Sequence, residues 1–222
     1  MNSAATPRVA LIHALAESVG PINQSLERLW PEAVRMNVLD DSLSADLARC
    51  GGVADAAMFQ RFEALTAYAE ASGAQAVLFT CSAFGACIEA VAARRPQLPV
   101  LKPNEAMVRE ATASGRRVGL LATFGPTLLS MPPEFPPNAP LITALADGAL
   151  LALQRGDADE HDRLAVQAAL RLAAEGAQII ALAQFSLARA AAAVAQATGL
   201  PVLSTPDSAV RALQAAWAKR VD

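Results

Sequence analysis

The apolar positions of this chain fall into short continuous runs that alternate with longer stretches of helical spacing. Apolar runs this short are typical of buried strands, and they lie at 8–14, 34–39, 76–80, 99–101, 117–122, 178–183 and 201–204. Between them, apolar residues recur every three or four positions, as on an amphipathic helix. These helical stretches cover 22–30, 53–72, 82–95, 105–115, 159–175, 185–198 and 208–220.

Short strands that alternate with helices of a dozen residues or more predict an α/β fold, in which mostly parallel sheets are flanked by helices. One stretch does not fit this alternation. Residues 131–140 contain five prolines, four of which form two Pro-Pro pairs. We expect an irregular, mobile loop there.

A duplicated motif divides the chain into two similar halves. Gly73-Ala74-Gln75 recurs 103 residues later as Gly176-Ala177-Gln178, and a Leu-Pro-Val-Leu follows at both 98–101 and 200–203. Such self-similarity indicates a repeated structural unit. We therefore predict two pseudo-symmetric α/β lobes with an active-site cleft between them, the first formed by 1–100 plus 205–222 and the second by 101–204.

Composition and charge narrow the class of protein. The 222 residues carry a net charge of −3 without a basic run, so nucleic acid is not an expected partner. No apolar run approaches the roughly 20 residues of a membrane span. Three cysteines and two histidines without metal-ligand spacing predict no metal site and suit a reducing compartment. We expect a cytoplasmic protein without a cofactor, and its Ala-rich helices are compatible with a homodimer.

Candidate chemistry lies where predicted strands end. Ligands of parallel sheets bind beside the carboxyl ends of the strands, and Cys81 follows such a strand directly. Helix N-terminal amides can lower a thiol pKa, and the amides that follow Cys81, those of Ser82 and Ala83, can bind a carboxylate together with the Ser82 hydroxyl. The alternative is that Cys81 is a small buried apolar residue.

Three segments at strand ends resemble the aspartate/glutamate/hydantoin racemase superfamily, which includes relatives similar to maleate isomerase and arylmalonate decarboxylase. They are Leu78-Phe79-Thr80-Cys81-Ser82-Ala83, Val118-Gly119-Leu120-Leu121-Ala122-Thr123 and Ala183-Gln184-Phe185-Ser186. The resemblance implies a cofactor-independent racemase or isomerase that acts on a small carboxylate. Cys81 would be the catalytic residue and would move a proton at the α carbon.

The chain departs from the family pattern at one position. Family racemases use one cysteine from each lobe, but Gln184 occupies the second position, and an amide does not exchange protons near neutral pH. Three interpretations remain open. Cys81 could act alone, as in a single-cysteine decarboxylase of the arylmalonate type or in an isomerase where it attacks a double bond; His13 could be recruited as a second acid or base; or the protein could bind a small acid without catalysis.

The other predicted substrate-binding residues lie in the same loops. The segment after the strand at 117–122 resembles the loop with which family members hold a substrate carboxylate, and its counterpart in the first lobe begins 109 residues earlier. His161 lies among acidic residues and is expected to be a solvated surface group. With His13, Ser82 and Ala83, the predicted binding set is Ser18, Thr123, Thr127, Gln184, Phe185 and Ser186.

Overall fold

Two compact units, each built on a four-stranded parallel sheet, make up the computed structural model, which describes residues 6–221. One unit contains the chain up to Pro103 together with residues from Ala209 onward, and the other spans Asn104–Ser208. Residues 1–5 and 222, which the predicted lobe boundaries include, lie outside the described part of the chain.

In the first unit the sheet has the strand order β2-β1-β3-β4. Its strands are β1 (Arg8–His13), β2 (Val34–Leu39), β3 (Ala76–Phe79) and β4 (Val100–Leu101). Its helices, which connect these strands, are α1 (Val19–Leu29), α2 (Ser42–Arg49), α3 (Ala56–Ala71) and α4 (Gly85–Arg94).

The second unit repeats this topology with the order β6-β5-β7-β8. Its strands are β5 (Val118–Ala122), β6 (Leu141–Leu145), β7 (Ile179–Leu182) and β8 (Val202–Ser204). The remaining helices are α5 (Glu105–Ala113), α6 (Thr127–Ser130), α7 (Ala149–Gln154), α8 (Ala158–Ala174), α9 (Ala191–Thr198) and α10 (Thr205–Val221). The predicted fold class, two similar parallel α/β sheets flanked by helices, is confirmed.

The duplicated Gly-Ala-Gln motif closes the amino edge of each sheet. Gln75 donates its backbone N–H to the Arg8 carbonyl at 2.8 Å, and its side-chain oxygen accepts the Arg8 N–H at 3.2 Å. Gln178 and Arg117 form the same two bonds at 2.8 and 3.0 Å. The motif therefore fixes the third strand of each sheet against the first, and its role is structural.

The glycine of the motif ends the preceding helix. Gly73 follows α3 with φ = 81°, and Gly176 follows α8 with φ = 91°. This left-handed conformation favours glycine, and it lets the chain reverse into the buried strand after two more residues.

The proline-rich stretch is more regular than the sequence indicated. It contains a 3-10 turn at Pro132–Glu134, and Met131 and Phe135 on either side of that turn are buried in the core. The stretch leads directly into β6, an edge strand that the sequence analysis missed. These two buried side chains anchor a segment that was predicted to be a mobile loop.

An aromatic cluster lies under the carboxyl end of the first sheet. The ring of Phe62 stacks on that of Phe79 at a centroid distance of 5.0 Å and packs against Phe84 at 4.9 Å. All three are at most 2 % exposed. Since Phe79 ends β3 and Phe84 precedes α4, this cluster encloses the turn that carries Cys81.

None of the helices within residues 6–221 combines the length and apolar character that crossing a bilayer demands.

Gly119 in β5 provides a test of how closely this sheet packs on α8. A Cβ at this position would lie 3.0 Å from the Ala177 Cβ and 3.1 Å from both the Leu172 Cβ and the Ile180 Cδ1. We expect Gly119→Ala to lower the free energy of unfolding by about 1–3 kcal/mol, because overpacking a rigid core costs about that much. Urea denaturation followed by circular dichroism measures the change.

Gly125→Ala is the matched control in the same unit. A Cβ at Gly125 meets no atom within 4 Å, so we expect a change below about 0.5 kcal/mol. Equal stability of the two variants would contradict the close packing of β5 on α8.

Candidate active site

Cys81 lies at the carboxyl end of β3, half-buried, with an extended backbone (φ = −127°, ψ = 122°). The sequence predicted that an α-helix begins directly after Cys81, but the structure differs. The chain first forms a 3-10 turn, Ser82–Phe84, and α4 starts at Gly85. Ser82 and Ala83 in this turn are exposed, so both predicted binding residues beside Cys81 are accessible.

The environment of the Cys81 thiol is mainly apolar. It shares a crevice with His13, Leu43, Phe62 and Phe84 that leaves no room for a water molecule. Burial raises the pKa of the Cys81 thiol, and a backbone hydrogen bond from Ala83 offsets this only in part. The expected lowering of this pKa by a helix N-terminus is therefore wrong, and the resting side chain is the neutral thiol.

His13 at the end of β1 is completely buried, and its proton positions follow from its neighbours. The Asn23 amide nitrogen donates to the Val19 carbonyl at 2.7 Å and to Asn37 Oδ1 at 2.8 Å. Because Asn37 Oδ1 is thus an acceptor, His13 Nε2, 3.0 Å away, must carry a proton and donate to it. In the neutral ring, Nδ1 is then an acceptor.

Two hydroxyl groups lie within hydrogen-bond distance of His13 Nδ1. His13 Nδ1 lies 2.9 Å from Thr80 Oγ1 and 3.0 Å from Ser18 Oγ. Ser18 donates its hydroxyl proton to the Leu15 carbonyl at 2.7 Å. Thr80 Oγ1, which also lies 2.8 Å from Ser18 Oγ, is therefore the hydroxyl group left to donate within this network. The network therefore ties the loop after β1 to the residue that precedes Cys81.

Burial lowers the pKa of His13, and the hydrogen bond to Asn37 compensates only partly. His13 and Ser18, both predicted to bind substrate, are 0 % and 7 % exposed, and their polar atoms bond to one another and to the protein. Their geometry is that of groups that hold the Cys81 turn in position.

Gln184 and Thr123 meet at the carboxyl edge of the second sheet. The side-chain oxygen of Gln184 accepts both the backbone N–H of Thr123 at 2.6 Å and its hydroxyl at 2.9 Å. Thr123 is buried, whereas Gln184 is half-buried. The sequence placed both residues in the site, and the structure joins them directly.

This pairing determines which way the Gln184 amide points. Since Oε1 is bound by Thr123, the Nε2 group must face the opposite direction, and within residues 6–221 it has no hydrogen-bond partner. Gln184 cannot move a proton as a thiol does, but it presents two fixed N–H donors, which suit a carboxylate.

The other predicted residues of the second unit differ in accessibility. Thr127 is half-buried at the start of α6, and its hydroxyl has no partner in the described part of the chain. Phe185 and Ser186 open the 3-10 helix Phe185–Ala190 that follows Gln184. Phe185 is buried, while Ser186 is half-buried.

His161 is not the solvated surface group that the sequence predicted. It is completely buried in the first turn of α8, and its Nδ1 lies 2.7 Å from Asp162 Oδ1. Arg189 donates to the same carboxylate at 2.8 and 3.1 Å. Burial acts to raise the pKa of Asp162, but the bonds from Arg189 and His161 outweigh it and hold that pKa below its usual value.

Sequence reasoning missed Thr80 and Asn37, which complete the His13 network. Thr80 was visible as a polar residue at the end of an otherwise apolar strand, directly before Cys81. Asn37 was visible as an amide between Met36 and Val38. Among residues 6–221, no group of three or more His, Cys, Asp or Glu side chains is arranged to hold a metal ion.

Residues 17–128, just over half of the chain, match the family model described as Asp/Glu/Hydantoin racemase. The chain belongs to the Asp/Glu/Hydantoin racemase family. The matched segment includes Ser18, Cys81, Thr123 and Thr127, whereas Gln184 lies outside it. No curated protein matches this family member in a comparison of sequences.

Solved structures share the fold of this racemase-family chain. Glutamate racemase from Bacillus anthracis is 14% identical, with a TM-score of 0.70 over 96% of this chain and 82% of that one. Allantoin racemase from Klebsiella pneumoniae is 18% identical (TM-score 0.64; 96% and 88%). Unliganded arylmalonate decarboxylase is 17% identical (TM-score 0.62; 95% and 93%). At these identities the likeness shows the fold.

The buried His13 network predicts a pH dependence of stability. A histidine whose pKa is lower in the folded than in the unfolded state contributes stability above the unfolded value of about 6.5. That contribution is lost as the pH falls through the lower folded pKa. We expect the unfolding free energy to fall between pH 7 and 5, and to fall less in His13→Gln. Urea titrations across this range measure the difference.

Comparing the pH dependence of the unfolding free energy in the wild type and in His13→Gln distinguishes the contribution of His13 from that of other titratable groups. His13→Gln removes the imidazole but keeps an amide that can bond to Thr80 or Asn37. The same slope in both proteins between pH 7 and 5 would show that His13 is not the group responsible.

Proposed function

We propose that this chain is a cofactor-independent racemase or isomerase that acts on a small carboxylate and moves a proton at the α carbon through Cys81. The observation that carries the proposal is the placement of this half-buried thiol at the carboxyl end of β3, in a family of racemases. His13, Ser18 and Thr80 brace the strand end from which it projects.

Binding of the carboxylate is assigned to neutral hydrogen-bond donors. The Gln184 Nε2 group and the Thr127 hydroxyl have no partner among the described residues, and the Ser82 hydroxyl is exposed beside Cys81. Charge-assisted bonds to a carboxylate are about twice as strong as neutral ones. Such donors also stabilise the negative charge that reaches the carboxylate when the α proton leaves.

In the proposed reaction the Cys81 thiolate takes the α proton. The C–H electron pair becomes an enolate on the carboxylate. Because Cys81 removes the proton from one face of the α carbon, inversion requires a proton from water on the opposite face, and the Cys81 thiol then gives its own proton back to solvent. Because the pKa of Cys81 is raised, only a small fraction of the enzyme carries the thiolate at neutral pH. The reaction should therefore speed up as the pH rises.

A second candidate is decarboxylation, and the raised pKa of Cys81 is the observation that favours it. When a C–CO2 bond breaks, its electron pair stays on the α carbon and needs one proton. A neutral thiol supplies that proton and is then restored from water. This chemistry requires a single sulfur, which agrees with Gln184 at the position of the family's second cysteine.

Cys81→Ala tests the central role of the thiol. We expect a loss of turnover of about 10²–10⁴-fold, the usual contribution of a general acid or base. Incubation of a panel of 2-substituted acids in D2O distinguishes the reactions: α-deuteration with inversion marks racemisation, and release of CO2 marks decarboxylation. The matched control is Cys50→Ala, which removes an exposed thiol and should leave turnover unchanged.

Undiminished turnover in Cys81→Ala, with the fold checked by circular dichroism, would reject the proposed role. If acids of the panel stabilise the wild type against heat but none is deuterated or releases CO2, the protein binds small acids without catalysis, and the proposed activity is rejected.

The pH profile separates the two candidate reactions. If the Cys81 thiolate removes the α proton, kcat/KM should rise about tenfold per pH unit through neutral pH up to the raised pKa. If the neutral thiol donates a proton after loss of CO2, kcat/KM should be flat in that range and fall above the pKa. Initial rates between pH 6 and 10 distinguish them, and the racemase proposal requires the rising profile.

A further inference from the structure

The turn after β7 differs from its duplicate after β3, although the two begin at equivalent positions. After Cys81 the 3-10 segment is three residues long, Ser82–Phe84, and α4 follows directly. After Gln184 the 3-10 helix is six residues long, Phe185–Ala190, before α9 begins. Runs of more than three or four 3-10 residues are uncommon, because their hydrogen-bond geometry is poorer than that of an α-helix. A specific contact is therefore expected to hold the longer segment.

The Arg189 side chain makes such a contact. Its guanidinium donates to the Asp162 carboxylate near the start of α8, at 2.8 Å from Nε and 3.1 Å from Nη2. The buried His161 lies against the same carboxylate, with its Nδ1 2.7 Å from Oδ1. The residue of the first unit that corresponds to Arg189 is Ala86, which cannot form an ion pair. The Asp162–Arg189 pair, here called the clamp, thus accompanies the longer 3-10 helix.

The geometry of a 3-10 helix connects Arg189 with Ser186. With three residues per turn, the side chains at positions i and i+3 lie one above the other. Ser186 and Arg189 therefore share one side of the helix, whereas Leu187 and Ala190 share another and are buried in the core of the unit. In an α-helix, positions three apart differ in direction by about 60°. Fixing Arg189 in the 3-10 form thus also fixes the direction of Ser186.

Ser186 carries a hydroxyl group that can bind a ligand. It is half-buried, and its hydroxyl has no hydrogen-bond partner in the part of the chain that the structure describes. It lies two residues after Gln184, whose carbonyl accepts the Leu187 N–H at 3.1 Å and so forms the first bond of the 3-10 helix. The same helix therefore carries the Ser186 hydroxyl and begins at the residue whose amide donors are assigned to the carboxylate.

We propose that Asp162 and Arg189 are positioning residues for the ligand site of the second unit, and that Ser186 is a further hydroxyl donor to the carboxylate. The clamp holds residues 185–190 in the 3-10 form and so sets where the Ser186 hydroxyl lies. Partly exposed ion pairs contribute little to overall stability, so losing the clamp should weaken binding more than folding. This inference rests on the proposed function, because it assumes that Gln184 binds a carboxylate.

The first experiment asks whether the clamp holds the helix, and it needs no ligand. Asp162→Asn keeps an oxygen that the neighbouring histidine can bond to, but it removes the charge that attracts Arg189. We expect amide hydrogen exchange at 185–190, measured by mass spectrometry, to become about two- to fivefold faster, the scale of a partly exposed ion pair. Glu160→Gln is the matched control. It weakens the Glu160–Arg163 pair in the same helix and should leave exchange at 185–190 unchanged.

The second experiment measures binding and turnover with aspartate, 2-hydroxypropanoate and 2-phenylpropanoate as probes. Calorimetry gives Kd, and α-deuterium exchange in D2O gives kcat and KM. We expect Asp162→Asn and Arg189→Met each to raise Kd and KM about three- to tenfold, part of the value of one hydrogen bond to a charged group, while kcat changes less than about twofold. In Ser186→Ala, which lacks the positioned hydroxyl, adding Asp162→Asn should cause no further loss.

Three results would overturn the inference and leave the proposed function in place. They are unchanged hydrogen exchange at 185–190 in Asp162→Asn, equal losses of affinity in Asp162→Asn and Glu160→Gln, and additive losses when Asp162→Asn is combined with Ser186→Ala. A fall in kcat at constant KM would likewise contradict a role in binding. If the wild type neither binds nor exchanges any of the three acids, the proposed function is rejected, and the role of Ser186 with it.

Discussion

The parallel pairing of the two inner strands is the constraint on which each unit depends. The Arg8 and Gln75 bonds at the amino edge fix the register that places Ile12 opposite Phe79. Side chains alternate between faces along a strand, and both faces of these two strands are buried, so a slip of one residue would exchange the side chains that pack on the two faces. The same register brings the polar residues at the carboxyl edge next to each other, so the fold and the candidate site share one origin.

The duplicated framework carries different polar chemistry in its two copies. In the first unit His13 and Thr80 form a buried pair at the strand ends, and the equivalent positions of the second unit are Ala122 and Ala183. There the structural bond is made one residue later, by Gln184. Each unit thus braces its carboxyl edge, one with an imidazole and the other with a carboxamide, and only the first presents a thiol.

Much of this architecture could be predicted because it depends on local pattern. Buried strands such as β1 and β3 appear as apolar runs bounded by Gly and Pro, and the repeat revealed two similar sheets. Edge strand β6 was missed because it is only partly buried and directly follows the proline-rich stretch. An edge strand has weaker hydrophobic patterning, so its sequence resembles the end of a loop.

The electrostatics of the site could not be predicted in the same way. The turn after Cys81 indicated a stabilised thiolate, but Leu43 and Phe62, which reach the thiol from distant segments, raise its pKa instead. His161 was misjudged for the same reason, because its acidic sequence neighbours hid its burial. Local sequence reports the dipoles next to a side chain, whereas desolvation depends on residues that only the fold brings near.

The bond between Gln184 and Thr123 also limits how this chain could acquire a pair of sulfur atoms. A cysteine at 184 would remove the oxygen that now satisfies an amide and a hydroxyl of a buried residue, and each orphaned group costs about 1–3 kcal/mol. The side chains at 123 and 184 are therefore coupled, and a substitution that places a second sulfur atom at 184 is expected to lose stability unless position 123 changes with it.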